Sequence, residues 1–105
     1  MSGFRRVCAL ADLADRQPVS VEVDGWPVAL VRAGGDVFAI HDECSHAEVP
    51  LSEGEVEDTT LECWLHGSRF DLHTGRPTGL PATRAVPVYP VKIDGDDVYV
   101  ALSRH

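Results

Sequence analysis

Cys44-Ser45-His46, then sixteen intervening residues, then Cys63-Trp64-Leu65-His66-Gly67: these two short segments decide how the chain is read. Each offers one thiolate and one imidazole. Residues one to three apart are separated by at most about 3.5 Å per residue, so each pair can reach one small site. Two thiolates and two imidazoles suit either a tetrahedral zinc or a [2Fe–2S] centre in which two histidines replace two cysteines on one iron. Spacing bears on that choice. Structural zinc loops usually pair like with like, Cys with Cys and His with His, whereas both pairs here are mixed, C-x-H and C-x-x-H. A chance grouping is weaker still, because all but one of the cysteines sit in the motif.

Outward from the second pair come Ser68-Arg69-Phe70-Asp71-Leu72, Thr74-Gly75 and, further on, Pro81-Ala82. Together with Cys44, His46, Cys63, His66 and Gly67, these residues resemble the Rieske proteins over most of the chain. The resemblance implies an all-β fold in which antiparallel base sheets carry an inserted cluster-binding lobe. It further implies a Rieske [2Fe–2S] cluster, with Cys44 and Cys63 on one iron and His46 and His66 on the other. Gly67, Ser68 and Phe70 would stand next to that cluster. Ser68 matches a family serine whose hydroxyl reaches a cluster sulfide, or it simply fills the turn. Phe70 stands where high-potential members have a tyrosine hydroxyl near a ligand sulfur. Val49 and Leu65 stand where those members have a disulfide. With fewer donors the reduced cluster is less stabilised, so a potential at the low end of the family range is expected.

The same departures make the chain similar to the Rieske-type ferredoxins of multicomponent oxygenases. That implies an electron carrier, not a catalyst, with a flavoprotein reductase and a terminal oxygenase as transient partners. Rival readings are a small subunit resembling that of nitrite reductases, a redox partner in iron–sulfur assembly, and a structural zinc module that only binds a partner. Of the other histidines, His41, His73 and His105, each reads as a surface or loop residue more than a ligand. No G-x-G-x-x-G suggests a bound dinucleotide, since Gly34-Gly35 alone is a turn.

Composition sets outer limits. The chain of 105 residues is one small domain, with 9 basic and 17 acidic residues and a formal charge of −8. Nucleic acid is an unsuitable partner for such a balance. No apolar run approaches the roughly 20 residues of a membrane span, and the N-terminus lacks the apolar stretch of a secretory signal. Three cysteines read poorly as a disulfide framework, so a cytoplasmic location is expected. Cys8 is expected to be a buried, unreactive thiol.

The strand pattern divides the chain. Residues 4–8, 19–23, 26–32 and 36–40 read as strands, with a short helical turn over 9–15 and hairpins at Asp24-Gly25 and Gly34-Gly35. Trp26 reads as core. Residues 54–57 and 61–63 suggest a short hairpin, and 69–72 another strand. After residue 84 the prolines of Val86-Pro87-Val88-Tyr89-Pro90-Val91 suit an edge, and 91–93 with 98–102 suggest a closing hairpin through Asp94-Gly95. The expected organisation is a single domain, with a base formed by 1–40 and 85–105 and a cluster-binding lobe over 41–84.

Charge and apolarity both concentrate in that lobe. It holds nine of the acidic residues against Arg69, Arg76 and Arg84, and so carries −6 of the −8. This excess reads equally as a solvated surface and as a collar that steers a basic partner. Val49, Pro50, Leu51, Trp64 and Leu65, ringed by Glu43, Glu48 and Glu53, suggest a docking face around the His46/His66 edge.

Overall fold

The computed structural model describes residues 3–43, 49–64, 67–78 and 84–102. Within them the chain is all-β. The strands in chain order are β1 (Phe4–Ala9), β2 (Val19–Val23), β3 (Trp26–Ala33), β4 (Asp36–His41), β5 (Val56–Glu57), β6 (Thr60–Glu62), β7 (Arg69–Asp71), β8 (Val88–Tyr89), β9 (Val91–Asp94) and β10 (Asp97–Ala101). They form three antiparallel sheets among the described residues, ordered β1-β10-β9, β2-β3-β4-β8 and β5-β6-β7.

The middle sheet is buried on both faces, and β3 shows it best. Along this strand Val28 and Leu30 face one core, which they share with Leu13, Val23, Val98 and Val100. The alternate residues Ala29, Val31 and Ala33 face a second core with Leu51, Leu61, Cys63, Phe70 and Leu72. Successive side chains of a strand point to opposite faces, so the unbroken apolar run from Val28 to Val31 fits a strand covered on both sides. The sheet β5-β6-β7 thus packs on one face of the middle sheet, and β1-β10-β9 contributes to the other.

Turn chemistry matches the ladder. Val23 pairs Trp26 across Asp24-Gly25, both at positive φ (50° and 86°), which suits the twist of a two-residue hairpin. The closing hairpin differs by one residue from expectation: Asp94 pairs Asp97, so Gly95-Asp96 make the turn. The helical turn expected over 9–15 is a 3₁₀ turn at Leu10–Asp12. At the other end of the middle sheet, β8 is an edge strand two residues long between Pro87 and Pro90. Prolines lack the N–H that a central strand needs, so the chain leaves this sheet at Pro90 and enters the next at Val91.

Three expectations are corrected. Trp26 is 57% exposed, because it is the first residue of β3, beside the hairpin turn and beyond the reach of either core. Leu51 is fully buried: the 3₁₀ turn Leu51–Glu53 directs it into the lobe core, leaving Pro50 as its exposed neighbour. His41 ends β4 and its side chain is only 17% exposed, so it is neither a loop nor a surface residue.

Two local features generate tests. Gly75 has a φ of 77°, and a Cβ there would run into the carbonyl of Val86, whose own N–H donates to the carbonyl of Gly75 at 2.8 Å. Gly75→Ala therefore combines a left-handed backbone with an overpacked contact, and thermal unfolding should show a loss of about 1–3 kcal/mol or more. Asp42 is 5% exposed, and its carboxylate accepts from the backbone N–H of Ser52 at 2.7 Å and from the Ser52 hydroxyl at 2.8 Å. Asp42→Ala leaves both donors without that acceptor and should cost about 1–3 kcal/mol in the same measurement. An unchanged melting curve in either variant would contradict the corresponding contact.

Candidate metal centre

The two segments singled out by their Cys/His pairs leave and rejoin the described structure at well-defined points. The first follows β4. The Val28–His41 pair ends the ladder, and the N–H of Asp42 then donates to the carbonyl of Pro27 at 3.1 Å. Residues 44–48 lie outside the described residues, and with them Cys44, His46 and Glu48. The chain reappears at Val49 and Pro50, and the Asp42–Ser52 bonds tie the two sides of this segment together.

The second segment joins β6 to β7. Cys63 follows β6 directly and is fully buried. Its N–H donates to the carbonyl of Ser68 at 2.6 Å, and its carbonyl accepts from the N–H of Gly67 at 2.9 Å. Gly67 has a φ of 78°, a value that an L side chain rarely adopts. The turn is thus closed across residues 63–68, with Cys63 at its inner end and Trp64, 50% exposed, on its outer side. Leu65 and His66 lie outside the described residues. Ser68 is 1% exposed and Phe70 fully buried, so both residues stand in the wall behind the turn.

Of the four candidate ligands only Cys63 is described. No group of three metal-ligating side chains occurs among the described residues. What is present fits a [2Fe–2S] cluster. A buried thiol sits where β6 ends, in one core cluster with Leu51, Leu61, Phe70 and Leu72. Such a wall keeps water from the protein side of a thiolate-bound centre. Phe70 brings no hydroxyl to this wall.

The remaining candidate residues separate clearly. Val49 is half-buried against the lobe core, while Pro50 and Trp64 are exposed. His73 is 55% exposed, with Nδ1 3.4 Å from Asp71 Oδ1, and its ring meets Phe38 edge-on at 4.8 Å. His105 lies outside the described residues. Cys8 is half-buried on β1, and burial, helped by Asp12, pushes its thiol above the ordinary range. That favours the unreactive, protonated form.

The acidic excess of the lobe is partly committed. Arg69 meets Glu57 at 2.8 Å and Glu62 at 3.8 Å. Asp42 is held by Ser52, Asp71 accepts from the N–H of His73 at 2.7 Å, and Glu43 lies 3.3 Å from His41 Nε2. Sequence patterning did not single out Asp42 or Ser52, because a carboxylate that ties a loop has no periodicity. The one available signal was the acidic pair Asp42-Glu43 just after an apolar strand.

Comparison with known proteins accords with this geometry. Residues 3–90 match the model of the Rieske [2Fe–2S] domain. The chain is 40% identical over 97 residues to the ferredoxin component of biphenyl 2,3-dioxygenase from Rhodococcus jostii (strain RHA1), covering 92% of this chain and 91% of that protein. Among solved structures, the ferredoxin of carbazole 1,9a-dioxygenase from Nocardioides aromaticivorans IC177 superposes with a TM-score of 0.91 at 42% identity, covering 95% of this chain and 98% of that one. A second similar structure is a complex of reduced oxygenase and oxidised ferredoxin in carbazole 1,9a-dioxygenase, with a TM-score of 0.89, 33% identity and coverage of 96% and 94%. The chain belongs to the Rieske [2Fe–2S] family and, within it, to the ferredoxins: it is an electron carrier and not a catalyst.

Proposed function

We propose that this chain holds its [2Fe–2S] cluster on Cys44, His46, Cys63 and His66. In this reading it carries one electron at a time from a flavoprotein reductase to a terminal oxygenase, in the cytoplasm. The observation that carries the ligand assignment is Cys63, a fully buried thiol at the base of a turn closed by Ser68 and Gly67. The mixed Cys/His spacing supplies the other three positions. The oxygenase is supported by the similar ferredoxin solved together with its oxygenase. The reductase follows from the need to reload the carrier. The cytoplasm suits thiolate ligands, which an oxidising compartment would tend to pair. No helix among the described residues is long and apolar enough to cross a membrane.

When bound, the cluster supplies a centre that takes up and releases one electron. Two ferric ions, two sulfides, two thiolates and two neutral imidazoles sum to zero charge, so adding an electron is easier than at an all-cysteine centre. The chain's own residues do the rest. Leu51, Leu61, Phe70 and Leu72 form the dry wall behind Cys63. The Asp42–Ser52 bonds hold the chain on either side of the first pair. Trp64 and Pro50 present exposed apolar area for close approach, with Glu53 exposed nearby in sequence; Glu48 and Leu65, the other candidates for this face, lie outside the described residues. Leu51, being buried, is no part of this face.

Protein purified anaerobically should hold two irons and two acid-labile sulfides per chain; stoichiometric zinc without sulfide would overturn the assignment. Its midpoint potential should lie near the bottom of the family range, at about −150 mV. Phe70→Tyr should raise that midpoint if the hydroxyl reaches a ligand sulfur. Trp64→Ala should slow transfer to the oxygenase while iron content per chain stays that of the wild type. A loss of iron in that variant, with transfer per cluster unchanged, would make Trp64 a packing residue instead.

A further inference from the structure

Trp26 is unusual in being a large aromatic residue left 57% exposed at the start of the most buried strand. Its position follows from the β3–β4 register. Val28 pairs His41, the N–H of Asp42 bonds the carbonyl of Pro27, and continuing the same register brings Trp26 level with Glu43. Glu43 immediately precedes Cys44. An indole from the first hairpin therefore stands level with the residue that precedes the first ligand pair in sequence, on a part of the chain that the sequence pattern assigns to the core.

Between them is an open pocket of about 340 Å³, lined by Trp26, Pro27, His41, Glu43, Val49 and Pro50 among others. The residues on both sides of the 44–48 segment thus line one cavity with the indole. Its chemistry is mixed in a specific way. Trp26 and His41 meet edge-on, with ring centroids 6.2 Å apart, so the indole is braced without being covered. The His41 Nδ1 is buried with no hydrogen-bond partner among the described residues, while Nε2 lies 3.3 Å from Glu43 Oε1. The Glu43 side chain remains 45% exposed, so its carboxylate keeps capacity for a second donor. Val49 and Pro50 add apolar surface.

We propose that this pocket receives an arginine side chain of the terminal oxygenase, stacked on Trp26 and donating to Glu43. A guanidinium matches all three surfaces: its plane stacks on an indole, its N–H groups reach a carboxylate, and its aliphatic stem covers apolar wall. Charge favours a basic guest, since the chain carries −8 and, among the described residues, Glu43 has no Lys or Arg partner, its contact being His41. The oxygenase is chosen because the similar ferredoxin complex contains an oxygenase. The proposal rests on the carrier reading above and names the chemistry by which that carrier is recognised.

The test uses holoprotein and the terminal oxygenase of carbazole 1,9a-dioxygenase from Nocardioides aromaticivorans IC177, whose ferredoxin this chain resembles. Binding is followed by titration calorimetry, with cluster absorbance and melting temperature as controls on each variant. Trp26→Ala should weaken binding by about three- to tenfold, with the slope of affinity against salt unchanged. Glu43→Gln should weaken it and flatten that slope. The double variant should lose less than the product of the two single losses, because both residues contact one guest. Wild-type affinity in Trp26→Ala, or single losses that simply multiply, would overturn the proposal. So would a loss confined to reduction by the reductase, which would assign the pocket to that partner. A wild-type chain that binds no such oxygenase would instead overturn the oxygenase reading itself.

Discussion

Everything in this structure depends on β3 being covered on both faces. One strand serves two cores, with Val28 and Leu30 turned to the side of β10 and Ala29, Val31 and Ala33 turned to the lobe. A one-residue slip of register would exchange the two sets and place each against the wrong neighbours. The β3–β4 ladder, six pairs long and free of bulges, fixes that register and carries it to His41. The position from which the first Cys/His pair departs is therefore set by core packing in the middle sheet. The lobe is anchored the same way, since Leu51, Leu61, Phe70 and Leu72 fill the side of β3 that would otherwise be exposed.

Much of this was legible before any coordinates. Hairpins at Asp24-Gly25 and Gly34-Gly35, the edge position of the proline-flanked β8 and the class of the fold all follow from turn chemistry and period-two patterning. The cofactor was legible too, because mixed Cys/His spacing is a chemical signature that survives without a structure. What escaped was direction. Val49, Pro50 and Leu51 are three consecutive apolar residues, and only the 3₁₀ turn decides that Leu51 points in while Pro50 stays out. Trp26 misled for the converse reason: a tryptophan at a strand end reads as core by composition, although on β3 the buried run begins only at Val28, leaving Trp26 and Pro27 exposed. Asp42 was invisible as a structural residue because a buried carboxylate bonded to a serine ten positions away leaves no pattern in sequence.

The charge of the lobe is distributed by function more than its total suggests. Arg69, the first residue of β7, pairs with Glu57 and Glu62. Exposed pairs of this kind add little to stability. Their effect is on the field, since paired carboxylates are dulled while Glu53 and Glu55 remain exposed without an ion pair among the described residues. A partner approaching from solvent meets these two unpaired carboxylates, Glu53 and Glu55, shortly after the chain rejoins from the first Cys/His segment.

The Asp42–Ser52 bridge has a bearing on how the protein acquires its cluster. Closing a ten-residue loop costs about 2 kcal/mol of chain entropy through its dependence on length. Here that closure is made by a carboxylate, a backbone amide and a hydroxyl, all supplied by the polypeptide itself. Zinc-finger peptides leave such ordering to the metal, and so remain unfolded without it. In this chain the Asp42–Ser52 bonds join the two sides of the first ligand segment, so part of that closure is met by the polypeptide and is not left to iron and sulfide.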